Sequence, residues 1–466
     1  MEHVSNRKTI LFYNEIEKNI RVIRNEYIRK NRGMNNIPSI DHPSKIADIL
    51  DFLFNRIHDE PTVKHRTPAH AALWEISTAV SKKINKSGNI SLNNITSLCE
   101  KSIIQEFVFE TSEINQEKID KFISKIKEDA EIKCEDRVYI IPYNLPIKSP
   151  PSFIRIGHVL FQNKFNFRKK IMKNLNESRD SLGKIDEKSR VSRLLLSEAL
   201  RFYRKFEWTA EIEILGCDTE MADFHAKLTA KAAGDVLHLL LGYDQSRFLL
   251  VGRPAQIDRG ATLTIDADGR LNARTFTSWE QMAQFSGWER KMQDPRWEQA
   301  LNFCGVALEV AMRPGLDRVR PLSRRFLDAV QWFGDAVREE SPAPRLIKHV
   351  TALERMVIPE KTDRIAESFA LRVAALTCDA SDRNSFTLNY NLAKKIYNTR
   401  SKLLHGSLSQ SAPSLLKESR RSNEFSRNVL LHVSYLLTTD NLKDPRATDR
   451  RLSQWYEKIV DACSKT

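Results

Sequence analysis

The chain has 466 residues, 41% hydrophobic and 29% charged, with a formal net charge of +14. That length exceeds one ordinary core and sets an expectation of two or three domains. No apolar run reaches membrane-spanning length and the N-terminus lacks a charged-then-apolar leader, so a soluble cytoplasmic protein with no membrane partner is expected. The basic balance points to a polyanionic partner, chiefly nucleic acid; a generally basic, soluble surface is the plain alternative. Six cysteines are scattered singly with no CxxC pair. That spacing argues against a zinc site or a disulfide framework and suits a reducing compartment.

Residues 1–135 read as mostly helical. Ile46, Ile49, Leu50, Phe52, Leu53 and Ile57 recur at helical spacing after Ser44, a residue suited to the N-cap. Pro68 opens a second helical stretch with Ala72, Leu73, Ile76, Ala79 and Val80 on one side, and Ile119, Phe122, Ile123 and Ile126 mark a third. His65 and His70 lie nearby with no acidic or cysteine partner, so no metal site is expected from them.

From 136 the pattern turns toward strand. Val138–Ile141 is a short apolar run, Pro142, Pro146, Pro150 and Pro151 punctuate a loop, and residues 153–161 alternate like one strand with His158 facing outward. Residues 191–207 are helical. Residues 208–214 alternate with period two, and Glu211 and Glu213 read as the solvated face of that strand rather than a catalytic pair. A helix through Ala222, His225, Ala226, Ala230, Ala233 and Leu237 follows, then a buried strand at 248–252, then Asp268-Gly269 as a hairpin turn between 263–265 and 271–274. This is a small α/β segment without a phosphate-binding glycine loop. Composition also shifts near residue 195, where alanine and arginine become common.

From about 294 the pattern is helical almost to the end. Six helices are expected, through 297–311, 322–337, 346–357, 365–376, 388–403 and from Pro413 to 437. The fourth is apolar on nearly all sides, which marks a buried helix. The fifth runs into Tyr397-Asn398-Thr399-Arg400-Ser401-Lys402-Leu403-Leu404-His405-Gly406, with Gly406 placed as a C-terminal cap. Arg313, Arg318, Arg320, Arg324 and Arg325 form a candidate nucleic-acid patch.

An arginine and a histidine, as at Arg400 and His405, are residue types that can cleave RNA. The 2′-hydroxyl of RNA is its own nucleophile, histidine can move protons near neutral pH, and arginine can grip a phosphate and the charge that develops on it. No metal or cofactor is needed. Five residues at about 100° each place the two side chains roughly 140° apart around one helix. Their convergence needs a frayed helix end, arginine's reach, or a second copy of the chain around a two-fold axis. On spacing alone, a surface arginine beside a histidine that favours the helix dipole is the simpler reading.

Three segments in order, LIKHVTALERMV, RIAESFALRVAALT and IYNTRSKLLHGS, resemble the Apea-like branch of the HEPN superfamily over residues 320–440. The stretch from Trp208 to Leu241 resembles, less closely, the region that often precedes that domain; residues 1–135 show no such likeness. The resemblance implies a helical domain that dimerises, with Arg400 and His405 as the Arg-x4–6-His ribonuclease pair, and a role in bacterial anti-phage defence or toxin systems. Many active members carry Asn, Asp or His after the arginine; this chain has Ser401. Glu354 is expected to orient Arg400 or to form a structural ion pair. Lys394, Lys395 and Lys402 are candidate contacts to RNA phosphates, or a solvated helix face.

The expected fold class is α+β multidomain and mostly helical. Residues 1–135 form a helical region suited to sensing, 136–290 a small α/β domain, and 291–466 a HEPN helical bundle. The expected activity is a metal-independent endoribonuclease, homodimeric, acting on tRNA or mRNA and restrained until a phage-derived or regulatory trigger arrives. The alternative is a non-catalytic HEPN protein that binds RNA or a protein partner.

Overall fold

The computed structural model describes residues 2–31, 67–85, 88–108, 114–145, 153–181, 187–247, 249–252, 257–265, 271–279, 295–379, 382, 384–438, 442 and 444–465. The chain is mostly helical with a small antiparallel sheet. It divides into two compact units, one of residues 1–137 with 215–224, the other of residues 138–214 with 225–466. The expected helix at 46–57, His65, the prolines at 146, 150 and 151, and the Asp268-Gly269 turn lie outside the described residues.

The first unit contains α1 (Glu2–Asn31), α2 (Pro68–Ile84), α3 (Leu92–Ile103) and α4 (Gln116–Ile132). Ile16, Ile20 and Ile23 line one face of α1. They pack with Leu73, Ile76 and Val80 of α2 and with Ile119, Phe122, Ile123 and Ile126 of α4 in one buried cluster. Side-chain caps start these helices: Thr67, Ser91 and Asn115 accept from the amides of His70, Asn94 and Lys118 at 3.2, 3.2 and 3.0 Å. Asp218 is fully buried and accepts from the Ser91 amide at 2.7 Å, Asn94 Nδ2 at 2.6 Å and the Met221 amide at 2.8 Å. Burial pushes its carboxyl up, but these hydrogen bonds outweigh burial and hold it below its usual range.

The five-stranded sheet contains β1 (Glu135–Asn144), β2 (Phe153–Ile156), β3 (Val159–Asn163), β4 (Trp208–Cys217) and β5 (Leu250–Val251), in the order β2-β3-β4-β1-β5. Alternation builds its buried face: Ile154, Ile156, Val159, Phe161, Trp208, Ala210, Ile212 and Ile214 are all buried. Residues 153–161 are a tight hairpin rather than one strand, with Ile156 paired to Val159. Gly157 turns the chain at φ +57, a conformation unfavourable to a residue with a Cβ. His158 therefore sits in the turn, with Nε2 3.3 Å from Glu309 Oε1. Between β3 and β4 the chain forms α5 (Lys164–Ser181) and α6 (Glu187–Tyr203). A separate hairpin, β6 (Ile257–Ile265) with β7 (Leu271–Trp279), pairs Ile257 with Trp279 and Ile265 with Leu271.

The helix after β4, α7 (Thr219–Leu241), is buried on nearly all sides over its second half, where Ala232, Ala233, Val236, Leu239 and Leu240 are buried. The C-terminal bundle consists of α8 (Pro295–Met312), α9 (Pro321–Val337), α10 (Pro342–Val357), α11 (Ile365–Thr377), α12 (Ser385–Leu404), α13 (Ser414–Leu436) and α14 (Asp449–Lys465). Proline at the first position starts α9 and α10, where its missing N–H costs nothing. α9 packs on α10, α10 on α13, and α11 on α12. On α9 the buried residues Leu322, Phe326, Ala329, Val330, Phe333 and Val337 recur at helical spacing.

Polar links join α7 to the bundle. Asp235 is fully buried, and Arg338 Nη1 lies 2.6 Å from its Oδ1. Gly334 makes room for that carboxylate: a Cβ there would fall 2.0 Å from Asp235 Oδ1. Burial pushes the Asp235 carboxyl up, and Arg338 pulls against it. At the C-terminus of α7, Arg427 Nε and Nη2 donate to the carbonyls of Leu239 and Leu240 at 3.0 and 2.8 Å. Those carbonyls have no partner within their own helix.

Candidate functional site

Arg400 lies one turn from the end of α12, where Ile396 and Leu403 bury one face of the helix. Its side chain is 23% exposed and its Nη2 is 3.3 Å from Glu354 Oε2 of α10. Glu354 Oε1 accepts from the Tyr397 hydroxyl at 3.3 Å. The guanidinium carbon lies 5.8 Å from the Tyr397 ring centroid, and that ring is 5.0 Å from Phe369 of α11. Burial, then the neighbouring Glu354 carboxylate, push the Tyr397 phenol up, so it stays a neutral donor. Arg400 is thus held by Glu354 of α10 and by Tyr397 of its own helix, whose ring in turn packs on Phe369 of α11. Its Nε is buried and has no hydrogen-bond partner among the described residues.

Helix α12 ends at Leu404, and His405 is its C-cap, at φ −89 and ψ 3. Gly406 follows at φ +73. The Ser407 amide donates to the Lys402 carbonyl at 2.9 Å and the Gly406 amide to Leu403 at 3.3 Å. This pair of bonds is a Schellman cap, which favours glycine at that left-handed position. It fixes where the helix stops, and the His405 side chain is exposed there. Arg400 and His405 therefore occupy the same helix end but different environments: one is pinned into the bundle and the other faces outward.

The other expected site residues fall around them. Ser401 is partly exposed, and its carbonyl accepts from the His405 amide at 3.0 Å. Lys394 and Lys402 are exposed. Lys395 is tied to buried Glu418 of α13 at 2.8 Å. In the arginine run, Arg320 pairs with Glu309, Arg324 with Asp328, and buried Arg325 with Asp449. That leaves Arg313 and Arg318 as the exposed part of the run. Glu213 is exposed, as expected of a solvated strand face, but Glu211 is only 11% exposed, where it bridges to Lys170 at 2.5 Å and accepts from Gln162. Among the described residues, no group of three or more His, Cys, Asp or Glu is arranged to hold a metal ion. None of their helices is long and apolar enough to cross a membrane.

Two features beside Arg400 were given no role from the sequence. Tyr397 shares Glu354 with Arg400, and its Tyr-x-x-Arg spacing, which puts both on one side of a helix, was the available signal. Beside Glu354 lies a groove of about 410 Å³, lined by Trp332, Thr351, Glu354, Arg355 and Lys361 among others. Trp332 is 41% exposed. The groove is built from α9, α10 and the loop after α10, and chain order does not announce it.

Comparison of the chain with protein-family models, with curated proteins and with solved structures finds no match to any of the three.

Proposed function

We propose that the C-terminal bundle is an Apea-like HEPN ribonuclease domain and that Arg400 and His405 are its catalytic pair. The observation that carries this reading is the Arg400 environment. A guanidinium is held by Glu354 and Tyr397, has a buried Nε without an acceptor among the described residues, and is followed five residues later by an exposed histidine at a capped helix end. A buried donor without an acceptor is uncommon and fits a group built to receive a ligand oxygen.

In the proposed reaction Arg400 donates to a phosphate oxygen and stabilises the extra negative charge of the pentacoordinate phosphorus. His405 moves a proton to or from the reacting oxygens. The 2′-hydroxyl attacks the adjacent phosphorus and the 5′-oxygen leaves. The products carry a 2′,3′-cyclic phosphate (opening to a 3′-phosphate) and a 5′-hydroxyl. Glu354 offsets part of Arg400's charge and fixes its direction. The outward His405 suits a two-fold dimer in which two Arg/His pairs share one cleft. Lys394 and Lys402 are exposed for phosphate contacts, whereas Lys395 is committed to Glu418. The biological setting that accompanies this reading is bacterial anti-phage defence or a toxin system, with tRNA or mRNA as substrate and the rest of the chain restraining the nuclease.

The test is to express the wild-type chain, Arg400→Ala and His405→Ala, and to map new 5′-hydroxyl RNA ends. Each variant is expected to lose about 10²- to 10⁴-fold in cleavage, the usual worth of a positioned proton-transfer or charge-stabilising group. Wild-type cleavage unaffected by both substitutions would overturn the assignment.

A further inference from the structure

Cys378 and Cys463 are 85 positions apart in sequence, yet their sulfurs lie 3.5 Å apart. Cys378 is the C-cap of α11, and Cys463 sits in the last turn of α14. Both are thiols and both are partly exposed. The Ala375 carbonyl faces both, at 3.5 Å from Cys378 Sγ and 3.9 Å from Cys463 Sγ. By contrast, Cys99, Cys217 and Cys304 are buried.

We propose that Cys378 and Cys463 form an oxidation site, at which a hydroperoxide converts the two thiols to an intramolecular disulfide that staples α14 to the C-terminal end of α11. A disulfide needs its sulfurs about 2.05 Å apart. The remaining approach is small, and both side chains stand at helix ends, where a rotation about the Cα–Cβ bond moves little else. The step divides between the two residues. One sulfur, assigned to Cys463, takes an oxygen from the hydroperoxide as the O–O bond breaks. The other peroxide oxygen leaves as water with the thiol proton when the oxidant is hydrogen peroxide. The Cys378 sulfur then displaces the sulfenic hydroxyl, which leaves as a second water with the Cys378 proton. Two thiols are oxidised and one peroxide is reduced. Burial and the Cys463 contact push the Cys378 thiol up, to about 11, which disfavours Cys378 as the sulfur that meets the peroxide first.

The consequence reaches the candidate site through the chain. Cys378 begins the connection from α11 to α12, and α12 carries Arg400 and His405. Oxidation would fix that connection to the C-terminal helix. Closing a loop of this length also restricts the unfolded chain, so the oxidised form should melt at a higher temperature.

The experiment treats the reduced full-length chain with hydrogen peroxide, blocks remaining thiols, and maps peptides without reduction. The expected result is one linked peptide pair containing Cys378 and Cys463, with no covalent link between chains. Cys99 and Cys304, both pushed up to about 12 by burial, should remain thiols. The melting temperature should rise with peroxide in the wild type and not in Cys463→Ser or Cys378→Ala. A sulfinic acid at either residue with no linked peptide, or a linkage between two chains, would overturn the proposal. So would an equal rise in melting temperature in the variants. None of these readouts depends on ribonuclease activity.

Discussion

At the scale of residues, Arg400 is defined by its company. Glu354 holds its Nη2 at 3.3 Å and takes the Tyr397 hydroxyl on its other oxygen. If that carboxylate aims the guanidinium, Glu354→Gln should keep the Tyr397 hydrogen bond and lower RNA cleavage by about tenfold or more. Small losses of alignment at a reacting centre carry penalties up to about 10². The check is a cleavage time course on wild type and variant, with a melting curve to show that the fold is unchanged; equal rates would remove Glu354 from the site. The Arg400/His405 spacing and the Gly406 cap were legible in the sequence because they are local. Glu354 was reachable only through a resemblance, since 43 positions separate it from Tyr397. The Cys378–Cys463 contact was not legible at all, because nothing in single, scattered cysteines says which two helix ends will meet. His158 was misplaced for a related reason: alternation continued across Gly157, and only the positive φ there shows a turn.

Among the elements, the bundle helices with wide apolar stripes were plain from their periodicity. Helix α5 was not, because Phe167 is the only buried one among its described side chains, and α14 was passed over although Leu452 and Tyr456 stand one turn apart on a buried face. The contact between α10 and α13 offers a direct test of packing energetics. His349 of α10 is fully buried, its Nδ1 lies 2.9 Å from Ser426 Oγ of α13, and its ring is 5.3 Å from Phe333 of α9. Burial, helped by nearby Arg345, lowers its pKa from 6.5 to about 3. The folded histidine therefore refuses a proton that the unfolded chain accepts. Its contribution is full above about pH 6.5 and is lost as pH falls toward 3. Urea unfolding across that window should show stability falling more steeply for wild type than for His349→Leu. The difference should approach about 1.4 kcal/mol per pH unit, the slope of one proton. Identical slopes would mean that His349 is not held neutral.

At the scale of the whole molecule, the mostly helical α+β character was legible, because helical and strand periodicities differ over many residues at once. The division into two compact units was less so. Residues 215–224 belong with the first unit although the chain on either side of them belongs with the second, and sequence order cannot show such a return. On the proposed reading, the exposed His405 and the pinned Arg400 belong to a cleft completed by a second copy of the chain. Light scattering of the purified full-length protein should give the mass of a dimer. A single-chain mass at all concentrations, together with full ribonuclease activity, would remove the composite cleft.

The most direct measurement is the chemistry of RNA ends in cells that express the wild-type chain, Arg400→Ala or His405→Ala at equal levels. New 5′-hydroxyl ends, paired with 2′,3′-cyclic or 3′-phosphate ends, should accumulate with the wild type and disappear with both variants. The same ends at the same abundance in all three, or none under phage challenge in the wild type, would contradict the assignment of Arg400 and His405 as a catalytic pair.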